Sequence, residues 1–172
     1  AADAGNSFAQ YQLGKIYFDE EYKNIPAAVQ YLTLAADQKN ELAACRLGRL
    51  YLIGEDLPKN IERALYYLDM SAEAGNQYAQ YVLGKLYLIG KEIEQDREKA
   101  YEYFSRSAEQ GNIYAAYVLE HWNDMPHPDL LLMATRLMHH LGNVIEENTG
   151  GGKKGGNRQR MDRKLARKIR QK

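Results

Sequence analysis

Leu-Gly recurs along this chain at Leu13-Gly14, Leu47-Gly48 and Leu83-Gly84, and Leu119-Glu120 holds the fourth place, at steps of 34, 36 and 36 residues. Tyr17, Tyr51 and Tyr87 keep the same steps, and Tyr31, Tyr67 and Tyr103 follow one another at 36. Asn6, Asn40, Asn76 and Asn112 close the pattern. A chain of this period has few folds open to it. One unit cannot bury its own apolar face, so successive units must stack into a solenoid.

Residues 76–111 show the unit in full. Asn76 is placed to cap a helix by accepting from its free N–H groups. Ala79, Leu83 and Tyr87 fall at i, i+4 and i+8, one stripe of that helix. Gly84 inside it costs about 1 kcal/mol against Ala, which implies the close passage of another backbone. Gly90 ends the helix, Asp96 caps a second one, and Gly111 ends that. Asn24 and Asn60 repeat the second cap. The expected fold is all-α: an alpha-alpha superhelix of about three and a half helical-hairpin repeats, with a C-terminal capping helix and a basic tail.

The recurring Ala-x-Tyr-x-Leu-Gly-x-x-Tyr, the Gly-containing loop, Asp-x-x-Lys-Ala and Ala-Glu-x-Gly-Asn resemble the Sel-one-like repeat (SLR), a tetratricopeptide relative. The resemblance covers residues 1 to about 123. Tyr31, Tyr67 and Tyr103 stand where the family usually has Trp. Repeat one reads as having a loop two residues shorter, with Asp19-Glu20-Glu21 in place of glycines. The resemblance implies a scaffold for other proteins and no reaction.

The boundaries expected are 1–125 for the solenoid, 126–148 for a capping helix, 149–157 for a Gly-rich linker and 158–172 for a basic tail helix. The opening Ala1-Ala-Asp-Ala-Gly-Asn6 matches the end of a second helix, so the chain reads as the C-terminal piece of a longer protein. The formal net charge of zero hides an asymmetry. Residues 153–172 carry ten Lys/Arg and one Asp, against 13 Lys/Arg and 22 Asp/Glu in the rest. One cysteine, Cys45, excludes an internal disulfide framework and fits a reducing, cytoplasmic setting. No run approaches the ~20 apolar residues of a membrane span, and no signal-peptide pattern opens the chain. No membrane partner is expected.

The repeats differ most along one face of the first helices. It carries Phe8, Tyr11, Lys15 and Phe18, then Leu42, Cys45, Arg49 and Leu52. Tyr78, Tyr81, Lys85 and Leu88 continue it, and Tyr114, Tyr117 and His121 finish it. In tetratricopeptide-type solenoids this face lines the concave groove. A stripe of aromatics beside a ladder of Lys15, Arg49, Lys85 and His121 suits an extended or helical peptide with apolar anchors and a carboxylate. The alternative is that the aromatics pack between repeats and the cations are a solvated edge.

Beyond the fourth unit, Asp124-Met-Pro-His-Pro128 forbids helix. A last helix from about Asp129 to Glu147 has Leu130, Met133, Leu137, Met138, Leu141, Val144 and Ile145 on its apolar face. It reads as a cap on the stack, or else as a segment that folds into the groove or docks a partner. In the tail, Met161, Leu165 and Ile169 form one thin apolar line. Arg158, Arg160, Arg163, Lys164, Arg167, Lys168 and Arg170 are placed to meet nucleic-acid phosphates, an acidic partner, or solvent alone. Ala134-Thr-Arg-Leu-Met-His-His-Leu141, Ile145-Glu-Glu-Asn148, the glycine linker and Met161-Asp-Arg-Lys164 together resemble the C-terminal region of mobilisation relaxases from Firmicutes conjugative elements. That resemblance implies an accessory region of a DNA-nicking enzyme whose catalytic part lies upstream.

Nothing in the chain has the pattern of a nucleophile elbow, a phosphate loop or a dinucleotide fingerprint. His121, His127, His139 and His140 lack metal-ligand spacing, His139 and His140 pointing about 100° apart on a helix. No cofactor and no catalytic residue is expected. Two roles remain: a scaffold binding a protein or peptide in the repeat groove, and a region of a relaxase whose tail meets DNA. A stand-alone adaptor without a nucleic-acid role is the alternative to the second.

Overall fold

The computed structural model describes residues 5–123 and the single helical position Met133. The seven helices with bounds among the described residues are α1 (Ser7–Ile16), α2 (Ile25–Asp37), α3 (Glu41–Ile53), α4 (Ile61–Glu73), α5 (Gln77–Ile89), α6 (Arg97–Glu109) and α7 (Ile113–Glu120). They pair as α1 with α2, α3 with α4 and α5 with α6, and each pair is joined to the next through α2 with α3, α4 with α5 and α6 with α7. Three hairpins and the first helix of a fourth therefore stand in one row, as the period requires. The capping helix apart from Met133, the linker and the tail with its seven proposed phosphate contacts lie outside the described residues.

Each helix begins where the sequence places a cap. Asn6, Asn24, Asn40, Asn60, Asn76, Asp96 and Asn112 each accept a bond from the backbone N–H three residues on, as in the 2.9 Å bond from Ala79 N to Asn76 Oδ1. The junction asparagines have a second task. Asn40 N–H donates to Ala35 O at 3.1 Å, and Asn76 and Asn112 repeat the bond to Ser71 O and Ser107 O. This is the long bond of a Schellman ending, so one residue closes a helix with its backbone and opens the next with its side chain. The residue before it must turn left-handed, with φ of 93° at Gly75 and 90° at Gly111. In the first junction that residue is Lys39, at φ 63°.

Two expectations change. Repeat one loses its residues from the helix: α1 has 10 residues where α3 and α5 have 13, and its connection to α2 is one residue longer. Gly54 and Gly90 take left-handed φ of 73° and 66° at the ends of α3 and α5. Tyr17 stands there in α1 with φ −69°, and the chain leaves through tight turns, Phe18 N to Lys15 O and Asp19 N to Ile16 O. The interior glycines also behave differently from expectation. Gly84 faces the ring of Phe104 rather than a passing backbone, whereas Gly14 and Gly48 face Leu32 and Leu68 with backbone also close, Ala28 O at 3.2 Å and Leu68 N at 3.0 Å.

Those three side chains, with Leu47, Leu83 and Val118, are fully buried and form the spine of the core. Polar bonds then fasten the two helices of a repeat to each other, and ion pairs fasten one repeat to the next. Ser71 Oγ donates to Glu41 O at 2.8 Å, and Ser107 Oγ to Gln77 O at 2.7 Å. Lys23 meets Asp56 at 3.0 Å, Lys59 meets Glu92 at 2.7 Å, and Arg106 meets Glu73 at 2.7 Å. No helix among the described residues is long and apolar enough to cross a membrane.

Candidate functional site

Helical spacing puts the second, fifth and ninth positions of every first helix on one face, and the structure brings these residues into contact. Lys15 Nζ lies 5.5 Å from the centre of the Tyr11 ring, Arg49 5.1 Å from that of Tyr78, and Lys85 5.2 Å from that of Tyr81. In the fourth unit the His121 ring lies 4.2 Å from Tyr117, held by its Nδ1–H donating to Tyr117 O at 3.0 Å. Arg49 spans from α3 to α5, and Tyr81 on α5 lies 6.2 Å from Tyr114 on α7. Consecutive first helices therefore lie side by side through the residues singled out by sequence.

They are not equally accessible. Phe8 is 60% exposed, Tyr78 43% and Leu42 41%. Lys15 and Arg49 are exposed, while Tyr11, Lys85, Tyr114, Tyr117 and His121 are half-buried. Tyr81 is only 8% exposed and packs on Phe104 at 5.7 Å. It serves the core as much as the face. Next to this row, Leu52, Leu86 and Ile89 line a shallow apolar recess edged by Lys91 and Glu92.

A second set of cations stacked on tyrosines gives a standard for comparison. Tyr17 stacks on Tyr31, Tyr51 on Tyr67 and Tyr87 on Tyr103, with centroids 5.9, 6.0 and 5.9 Å apart. Arg63 covers Tyr51, Lys99 covers Tyr87 and Arg106 covers Tyr103. There the cations also make polar bonds: Arg63 donates to the hydroxyl of the same Tyr51 at 3.1 Å, Lys99 meets Asp96 at 3.7 Å and Arg106 meets Glu73. On the first-helix face, Lys15 and Arg49 meet no carboxylate among the described residues.

Sequence reasoning missed Arg46. Its guanidinium lies 5.2 Å from the centre of the Phe18 ring. Aligning the repeats would have marked it, because Val82 and Val118 hold the same place in the later units.

Little on this face could do covalent chemistry. Burial pushes the Cys45 thiol up to about 11, with Arg49 opposing it weakly, so almost none is thiolate near neutrality. Tyr103 donates to Asp69 at 3.1 Å. Burial raises both groups, and the carboxylate raises the phenol further. No group of three His, Cys, Asp or Glu able to hold a metal occurs among the described residues.

The family model for the Sel1 repeat matches residues 7–40, 42–76 and 77–112. Among solved structures, a Sel1 repeat protein from Oxalobacter formigenes is 32% identical with a TM-score of 0.66, over 70% of this chain and 92% of that one. The protective antigen c5321 of uropathogenic Escherichia coli, which displays an SLR fold, is 28% identical with a TM-score of 0.64, over 69% of this chain but only 26% of its own. Helicobacter pylori cysteine rich protein B, at 19% identity and a TM-score of 0.56, shares the fold over 64% of this chain. No curated protein matches. Proteins built from this repeat are in general non-catalytic scaffolds that bind other proteins. With its three matched repeats, the chain belongs to the Sel1 repeat family.

Proposed function

We propose that this chain is a non-catalytic interaction scaffold whose first-helix face seats an extended peptide bearing apolar side chains and carboxylates. The observation that carries the reading is the repeated cation on a tyrosine at one register, Lys15 on Tyr11, Arg49 on Tyr78 and Lys85 on Tyr81, beside the exposed Phe8 and Leu42. A cation stacked on an aromatic ring is held in place without being neutralised, so it keeps its attraction for an incoming carboxylate. The recess at Leu52, Leu86 and Ile89 offers an apolar anchor a seat. A buried free thiol suits a reducing compartment such as the cytoplasm. The test is selection of binders from a random peptide library, followed by the paired reversal Arg49→Glu and Lys85→Glu. The selected peptides should be acidic and apolar, and the reversed protein should lose them while melting normally. Unchanged affinity would sink the reading.

The charge of the last twenty residues favours a second role, contact with DNA as the accessory C-terminal region of a mobilisation relaxase. Anisotropy of labelled DNA across a salt series, with the full chain and with one ending at Asn148, tests it. Tail-dependent binding with a log–log slope of about −4 to −5 means roughly five phosphates engaged. No binding at low salt returns the chain to a stand-alone adaptor.

A further inference from the structure

In the later repeats, the sixth position of the first helix is an apolar seam between neighbouring units. Val82 is 6% exposed and packs with Cys45, Leu68 and Leu83. Val118 is fully buried against Tyr81, Leu88 and Phe104. In repeat two the same place holds Arg46, which reaches back to lie on Phe18, just past the end of α1 in repeat one. Its Nε is buried and has no hydrogen-bond partner, the one such side-chain atom among the described residues. The ion pairs described take Lys23, Lys59, Lys99 and Arg106, and none involves Arg46. A guanidinium in a seam built for valine, short of an acceptor, is a cost to the free protein.

We propose that Arg46 is the receptor for a side-chain carboxylate of an acidic peptide. A carboxylate matches the guanidinium fork: Nε is closed to solvent in the free protein, so the side chain turns outward to offer Nε and one Nη together in a paired, charge-assisted contact. The Phe18 ring holds the guanidinium in the free protein. Lys15, near the end of α1 and three residues before Phe18, and Arg49, one turn beyond Arg46 on α3, add positive charge and make no ion pair among the described residues. This subsite rests on the reading of the first-helix face as a peptide seat, and it names the chemistry that one place on that face requires.

The test compares the full chain with Arg46→Val and Arg49→Glu. One readout is thermal melting. The other is anisotropy of a labelled peptide of alternating Glu and Tyr, with an alternating Lys and Tyr peptide as control and a short DNA duplex as a second probe. Arg46→Val restores the residue of the later repeats, so its melting temperature should rise by about 4 °C. Its affinity for the acidic peptide should fall at least about tenfold, the size of one lost charge-assisted contact. A lower melting temperature shows that Arg46 is a structural group and overturns the proposal. Unchanged affinity in Arg46→Val with loss in Arg49→Glu overturns the subsite and leaves the peptide seat standing. No acidic-peptide binding by the unmodified chain overturns both. Duplex binding that depends on Arg46 where peptide binding does not would assign the fork to phosphate instead.

Discussion

Gly48 faces Leu68 so closely that a Cβ on the glycine would stand 2.6 Å from Leu68 Cγ and 3.0 Å from Leu68 N. The second atom is backbone, so α4 itself would have to move. Gly48→Ala should therefore destabilise the protein. The substitution gains about 1 kcal/mol of helix propensity, but overpacking a closed core costs about 1–3 kcal/mol. Gly84→Ala meets only the edge of the Phe104 ring at 3.0 Å, which can tilt, and should cost less. Urea denaturation of the two variants checks the order, and a more stable Gly48→Ala protein would contradict it.

Lys39 occupies the left-handed position that Gly75 and Gly111 hold at the later junctions. A side chain there costs about 1 kcal/mol, and Lys39 is exposed with nothing to recover it. Lys39→Gly should stabilise the protein by roughly 0.5–1 kcal/mol, less the entropy that glycine adds to the unfolded chain. Thermal melting reads the gain. Gly75→Lys is the mirror experiment, with a loss of similar size.

The contrast between these positions shows what sequence could and could not disclose. Period, caps and left-handed ends are local: Asn76 caps, closes the preceding helix and recurs, all within a few residues of itself. The same local logic identified the face carrying Lys15, Arg49 and Lys85. Which residues of that face reach solvent depends on how far one repeat is turned against the next, and no short stretch encodes that angle. Tyr81 illustrates it, being 8% exposed while Tyr78, three residues earlier, is 43% exposed. The shortening of repeat one was visible as two missing residues, yet only the backbone shows that the helix gave them up.

Cys45 links stability to alkaline pH. Its folded pKa, about 11, lies above the ordinary value of 9.0, so the folded protein holds its proton more tightly than the unfolded chain. Stability from this group is complete below about pH 9 and is lost as pH rises through about 11. The loss is on the order of 2 kcal/mol. The raised Tyr103 phenol acts in the same direction at still higher pH. Denaturation near neutrality and near pH 10 should show the fall. Cys45→Ala should flatten it, while costing about 1 kcal/mol of packing near neutrality. A wild-type stability unchanged between those conditions would show that the thiol is not shielded as its burial implies.

Tyr103 and Asp69 couple repeat two to repeat three through a bond between second helices, 3.1 Å long and only half-buried. Burial raises the Asp69 pKa and the Tyr103 hydroxyl pulls it back down, so the hydroxyl stabilises the carboxylate form. Tyr103→Phe removes that donor while keeping the stack on Tyr87. Near neutrality it should cost about 1 kcal/mol, because solvent reaches part of the pair. The cost should shrink as pH falls through the raised Asp69 pKa, since a neutral carboxyl needs the donor less. Asp69→Asn in the same background should leave little further loss, the sign of one shared contact. Additive losses from the two substitutions at neutral pH would show that the hydroxyl and the carboxylate act independently, and the coupling between the repeats would then rest on the buried seam of Leu68, Leu83 and Val82.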